Sequence, residues 1–280
     1  DKRWEAAVTD QLGAPVLDDD FDGAHHTLFR VADPGACAAV QEALASRAIY
    51  IADGHHRYET MCAFRDELRA SGREDAAKMG MIYLSNLDDE GLVVLPTHRI
   101  VHGLDSVELP SLLEGAAAHF EVSERALPQT AAELSAALAP GDGARATFGL
   151  TVPGSGTLSV LRLREDFDPA AAGLGGLHSS LARLDVALLH ELVLERGLGI
   201  SKAAQAAKTN LKYFKSTEAS IETASTASGD AQLVCLMNAT PVRDVVAVCD
   251  SGQVMPQKST FFYPKIPTGL VFRALLDDEA

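Results

Sequence analysis

Cysteine is scarce and scattered in this chain. Cys37, Cys62, Cys235 and Cys249 are the four in 280 residues, and no two of them form a C-x-x-C pair. That spacing excludes a zinc ribbon and a disulfide framework, and it predicts small core side chains in a reducing, cytoplasmic compartment. Basic residues are outnumbered as well, with 24 Lys and Arg against 39 Asp and Glu and a formal charge of -15. A nucleic-acid duplex or an anionic membrane needs the opposite sign, so neither is expected as the main partner. No apolar run reaches the ~18 residues of a membrane span, and no signal-peptide pattern is read. The phosphate-binding loop G-x-x-x-x-G-K-[ST] and the hydrolase elbow G-x-S-x-G are both missing, since Gly154-Ser155-Gly156 falls in an expected hairpin turn. A nucleophilic cysteine is unsupported too, because only Cys62 approaches the cationic cluster described below, from two turns down its helix.

What is present is a chain that is 47% apolar, enough for at least one full core and suited to two domains or one elaborated domain. It opens on Asp1, and residues 1–17 read as if in mid-domain, so a longer N-terminal portion is expected. Three regions separate by texture. Residues 1–105 alternate strand and helix: a helix near 4–12, a strand near 27–31, a helix near 37–45, a strand over 49–52 leading into a helix from 55 to about 70, and a hairpin turning at Asp88-Asp89-Glu90-Gly91. Residues 106–165 hold helices at 109–119 and 130–138 and a strand pair at 144–152 and 157–164, and read as a small α+β cap or insertion. Residues 166–280 hold a helix near 180–195, strands at 232–237 and 244–249, and a proline-stiffened loop, M-P-Q-K-S-T-F-F-Y-P-K. The expected class is α/β of mixed α+β type.

The chemistry concentrates in I-Y-I-A-D-G-H-H-R-Y-E-T, residues 49–60. An apolar run stops at Asp53-Gly54, and a helical period begins at His55 with Tyr58, Met61, Phe64, Arg65 and Leu68. Asp53 is suited to cap that helix, and Gly54 leaves room for a ligand near the backbone. His55, His56 and Arg57 crowd the positive end of the helix dipole, which costs ~0.3–1 kcal/mol each unless an anion sits there. Strand, glycine turn and cationic helix start together describe an anion site, most often one for phosphate.

The second constellation is Lys258, Ser259, Thr260 and Lys265, two cations and two hydroxyls on the stiff loop. With Gly54 and Arg57 they make up the parts for gripping and neutralising phosphate, while Asp53 and Glu59 are suited to hold magnesium or to take a proton from an attacking hydroxyl. Histidine pairs exist at His25-His26, His55-His56 and His98 with His102, but the last lies in a strand context without an intervening Glu. Asp185 and His190, five apart, do not share a helical face and read as a partnered Asp and a packed His.

I-A-D-G-H-H-R-Y-E-T, L-P-T-H-R-I-V, L-D-V-A-L-L-H-E and M-P-Q-K-S-T-F-F-Y-P-K, in that order, resemble the family known as domain of unknown function 1015, whose members are usually longer at the N-terminus. Gly54-His55-His56-Arg57-Tyr58 is also similar to the G-C-H-R-Y loop of sulfiredoxin and the G-E-R-R loop of ParB, which share a nucleotide-binding fold. That resemblance implies a ParB/sulfiredoxin-like core in which Gly54, His56 and Arg57 hold nucleotide phosphates. His55 stands where sulfiredoxin has its cysteine, which excludes thiol-based sulfinic-acid reduction.

These readings together lead to a small-molecule phosphotransferase using ATP or ADP and magnesium. Arg57, His56, Lys258 and Lys265 would handle phosphate charge, with Asp53, Glu59 or His55 as catalytic groups, and the 256–265 loop folding over the cleft of residues 53–57. Two other classes stay open: a nucleotide-responsive binding module without chemistry, and a phosphatase or other phosphate-ester hydrolase. The partners expected are a nucleotide and a metabolite, and a homo-oligomer is compatible with the sequence.

Overall fold

The computed structural model describes residues 3–21, 23–73, 77–141, 145–227, 229–256 and 258–274. The chain divides into two compact units, one of residues 1–92 with 267–280 and the other of residues 93–266.

The N-terminal unit is built from helix α1 (Arg3–Thr9), the antiparallel hairpin β1 (Leu17–Phe21) and β2 (Ala24–Leu28), and helices α2 (Pro34–Leu44) and α3 (His55–Ala70). Helix α2 starts as its sequence dictates. The Asp33 carboxylate accepts from the Ala36 amide at 2.8 Å, and Pro34 opens the first turn, where a missing N–H costs nothing. In β1–β2 the His25 imidazole sits between the Asp20 and Asp18 carboxylates at 2.7 and 2.9 Å, and these hydrogen bonds raise its pKa.

Two expected strands are not there. Ile49–Ala52 pairs with no strand, and Ile49 and Ile51 are 53% and 38% exposed. Four apolar residues are too few to declare a strand unless a neighbouring edge accepts their amides. Residues 81–84 likewise form no strand, although the turn beyond them is real: Asp89 accepts from the Gly91 amide at 2.8 Å.

The second unit is organised by one sheet. Its strands are β4 (His98–His102), β5 (Phe120–Ala126), β6 (Thr147–Thr151), β7 (Thr157–Leu163), β8 (Leu211–Phe214) and β9 (Ala231–Met237), in the spatial order β5-β7-β6-β9-β4-β8 with antiparallel pairing throughout. The short strand β3 (Val93–Leu95) pairs instead with β10 (Phe261–Tyr263), so part of the proline-bounded loop is a strand. The helices are α4 (Leu109–Ala116), α5 (Ala131–Ala137), α6 (Asp185–Leu188), α7 (Lys202–Ala207), α8 (Thr217–Ser225) and α9 (Val242–Asp250). Helix α6 runs straight into a π-helical stretch, Leu189–Gly197, a rare, wider winding that is frequent at functional sites.

Apart from its edge strand β5, which is mostly exposed, the sheet is buried on both faces, and the period-2 alternation assigns each side chain to one of them. Val101, Phe148, Leu150, Leu161, Leu233 and Cys235 face a core shared with α4 and the π-helical stretch. Ile100, Leu158, Val160, Val234 and Leu236 face a second core with α5 and α8. The architecture is therefore mixed α+β, with strands drawn from all three stretches of sequence that differ in texture.

Residues 244–249, expected as a strand, lie inside helix α9. Val242, Val245 and Val248 recur every three residues, and Val248 packs against Leu181, Leu184, Val186 and Ala187. Tertiary burial of that stripe overrides the β preference of valine. The helix expected near 180–195 begins five residues later and extends to 197 through the π-helical stretch. The beginning of the strand expected at 144 lies outside the described residues.

Candidate functional site

At the start of α3 the residue in the N-cap position is Gly54, not Asp53, and no side chain caps the helix. Gly54 adopts φ 84°, in the left-handed region, and a Cβ there would lie 2.8 Å from Nε and one terminal nitrogen of Arg57. Glycine is thus required twice over, by its dihedral and by the guanidinium folded against it. Asp53 turns to the Gly54 amide, accepting at 2.9 Å, and stands 3.8 Å from the Arg57 guanidinium. Glu59 meets His56 Nδ1 at 3.2 Å. His55, His56, Arg57 and Glu59 are all exposed, Arg57 by 74%, so the cations present themselves to solvent beside uncapped backbone amides.

The lysine loop belongs to the second unit and behaves differently. Lys258 is exposed with φ 58°, a left-handed conformation that costs a non-glycine residue ~1–2 kcal/mol. Ser259 is buried, its hydroxyl donating to the Pro256 carbonyl while its own carbonyl accepts from Thr240 at 3.0 Å, so this hydroxyl is engaged in holding the loop. Thr260 is half-buried. Lys265 and Lys215 both place their ammonium groups over the Phe261 ring, at 4.6 and 4.1 Å from its centroid.

The most unusual charge in the molecule is one that the residue types alone did not single out. Arg99, on β4 between His98 and Ile100, is 1% exposed. Its guanidinium donates to the carbonyls of Thr97 and, at 2.9 Å, Lys258, and lies 5.5 Å from the centre of the Tyr213 ring. Its Nε has no partner, and among the described residues Arg99 makes no ion pair. Burial lowers its pKa only to about 10, so it stays charged at neutral pH. A buried cation without a counter-ion costs several kcal/mol. The field of Arg99 reaches its neighbours. Burial first and Arg99 second lower His190 to about 3 and His98 to about 4, and burial pushes the Cys235 thiol up to about 12.

His98 spends both ring nitrogens. Nδ1 accepts from the Met237 amide at 3.0 Å and Nε2 donates to Thr217 at 3.0 Å, so it is not a metal ligand paired with His102. Among the described residues no group of three or more His, Cys, Asp or Glu side chains is gathered to hold a metal. His190 is packed as expected, with the Gln205 side chain hydrogen-bonded to it, while its Nε2 is buried without a partner. Asp185 is partnered as expected, by Asn238 and backbone amides, yet burial raises its carboxyl to about 6. Beside these groups is a cavity of about 230 Å³ lined by His190, Glu191, Lys202, Gln205 and Tyr213. The available signal for this site was an arginine next to the apolar pair Ile100-Val101 in a short strand, where a buried charge is tolerated only for a reason.

Three of the four sequence motifs therefore meet around Arg99: its own strand, the helix that continues to His190, and the loop that offers the Lys258 carbonyl. The first motif, with Gly54 and Arg57, lies in the other compact unit. Among the described residues no helix is long and apolar enough to cross a membrane.

No curated protein matches the chain. Among solved structures it is similar to a conserved hypothetical protein from Pyrococcus furiosus at 17% identity and a TM-score of 0.37, over 94% of this chain and 82% of that one. The family model described as protein of unknown function (DUF1015) matches residues 2–187, spanning Gly54–Arg57 and Arg99 and ending ahead of His190 and the lysine loop. With two thirds of its length matched by that model, the chain belongs to the DUF1015 family.

Proposed function

We propose that this protein is a nucleotide- or phosphate-binding enzyme, a kinase-like phosphotransferase acting on the hydroxyl of a small metabolite. The observation that carries the reading is the glycine-enforced turn at Gly54, which leaves the amides of the sixteen-residue helix α3 uncapped and sets Arg57 against them. His55, His56 and Arg57 would repel the helix dipole in the absence of an anion and are stabilised by one in its presence. The likeness of Gly54–Tyr58 to the loops of sulfiredoxin and ParB that hold nucleotide phosphates supports the same assignment and, with it, a ParB/sulfiredoxin-like core.

In this reading His56 and Arg57 bind phosphate oxygens, Arg57 through its two-pronged guanidinium. Magnesium held through nucleotide phosphates needs only one or two protein carboxylates, which Asp53 and Glu59 are of the right kind to supply; when bound it would neutralise phosphate charge. The carboxylate left over takes the proton of the attacking hydroxyl.

A binding module without chemistry has one observation in its favour: both carboxylates are already engaged, Asp53 with the Gly54 amide and Arg57, and Glu59 with His56. Phosphorus NMR of the protein with ATP or ADP, magnesium and a panel of hydroxyl metabolites, serine first, separates transfer, plain hydrolysis and no reaction. Either nucleotide is expected to raise the melting temperature, and Arg57→Ala to abolish that rise. If neither nucleotide raises it, or Arg57→Ala responds like the parent protein, the phosphate assignment at α3 is wrong.

A further inference from the structure

The cavity beside Arg99 is lined by residues of the sheet unit alone. Its polar lining combines His190 from the π-helical stretch, Lys202 and Gln205 from α7 and Tyr213 from β8, and its apolar lining includes Leu177, Leu181 and Pro256. Three observations converge on it. The charge of Arg99 has no carboxylate partner among the described residues; its guanidinium lies 5.5 Å from the centre of the Tyr213 ring, which lines the cavity, and it acts on both His190 and Tyr213. The His190 ring lines the cavity, and its Nε2, buried and without a partner, lies behind that lining. Lys202 lines the cavity too, its ammonium 2.7 Å from Glu191 and 3.9 Å from Glu195, with hydrogens left to donate.

A cation in this space would meet Arg99's field, and a wholly apolar ligand would leave that charge uncompensated. An anion would do neither. We propose that the cavity binds a small organic anion with an apolar body, its carboxylate or phosphate head at the His190–Tyr213 end and its body against Leu177, Leu181 and Pro256. The volume, about 230 Å³, is below that of drug-sized pockets and suits a small metabolite. This site goes beyond the nucleotide reading and shares no residue with α3.

Binding has a proton signature. The charged or titratable groups facing His190 are Arg99 from β4, Glu191 beside it, Lys202 from α7 and Tyr213 from β8. Burial and Arg99 hold the imidazole neutral, and an anion placed next to it offsets both influences, so occupancy raises its proton affinity.

The full chain, carrying carbon-13-labelled histidines, is titrated by NMR with n-butyrate, n-butyl phosphate and n-butanol. At least one anion is expected to shift the His190 resonances saturably and move their titration midpoint upward, with butanol at least about tenfold weaker. Tighter butyrate identifies a carboxylate head and tighter butyl phosphate a phosphate ester. Arg99→Met is expected to weaken the anion about tenfold or more, and Lys202→Gln, at an exposed position of α7, to weaken it severalfold. The proposal is overturned if neither anion gives a saturable shift, if butanol binds as well as the anions, or if both variants bind like the parent protein. Should Arg99→Met not fold, Lys202→Gln decides. Failure of nucleotides to stabilise the protein leaves this result untouched, and the reverse holds too.

Discussion

The two units use apolar side chains in opposite ways. In residues 93–266 the sheet carries Phe148, Leu150, Leu158 and Leu161 at essentially no exposure, on two faces, each covered by helices. In residues 1–92, Ala36 is the one apolar residue of the described set that is fully buried. Tyr58, Met61 and Phe64 form the stripe of α3 and yet are exposed, as are Met79, Met81, Ile82 and Tyr83. Helical spacing therefore specifies that α3 is a helix, and the stripe that specifies it is not what holds this unit together. The same division runs through charge: the N-terminal unit displays its cations at the surface, and the sheet unit buries one.

The largest effect that tests this contrast is a pair of truncations. Leu150→Ala in the sheet unit is expected to destabilise by ~3–5 kcal/mol, whereas Phe64→Ala on α3 should cost ~1 kcal/mol or less. Urea denaturation of both variants measures the difference. Comparable losses would mean that the α3 stripe is a core after all.

The next test is acid. His98 and His190 have folded pKa values of about 4 and 3, below the ordinary 6.5, so the folded state binds fewer protons than the unfolded chain between those limits. Stability is then full above pH 6.5 and declines as pH falls toward 4 and 3. Asp185 runs the other way: its folded value of about 6 lies above the ordinary 3.8, so its contribution improves as pH falls through 6. Two histidines against one carboxyl give a net loss on acidification in the sheet unit, of a few kcal/mol in order of magnitude. Denaturation midpoints between pH 7 and 4 should show it, and His190→Gln should flatten the slope. A flat profile in the parent protein would remove the claim that these imidazoles are held neutral.

The smallest effect sharpens the N-terminal side. Gly54→Ala is expected to cost ~1–2 kcal/mol for the left-handed dihedral, and to displace Arg57 from its place over the turn. Exchange of the amide hydrogens of α3 should report local fraying, with those of β4–β9 unchanged.

Much of this was legible in the residues. Helix α3 starts and stops where its periodicity places it, and the strands ending at Met237 and beginning at Thr157 follow their alternation. The strand at 120–126, the helices at 202–207 and 217–225 and the strand at 211–214 went unread. Phe120 is the one buried residue of β5, so its strand has little hydrophobic pattern to display. Of the site, the turn at Gly54 could be read locally because a glycine before a cationic helix start is a short-range signal. The burial of Arg99 could not, because it depends on Lys258, Tyr213 and His190, residues that share a neighbourhood only after the sheet has formed.

That dependence has a consequence for how the protein comes into being. The two carbonyls that Arg99 grips belong to Thr97 and Lys258, the first two positions before it and the second far down the chain. During synthesis β4 emerges long before the second of these acceptors, which arrives only when residue 258 clears the ribosome. Arg99 is therefore a latch that stays open until the sheet unit is nearly complete, and a chain arrested ahead of residue 258 would keep its strongest buried charge in contact with water.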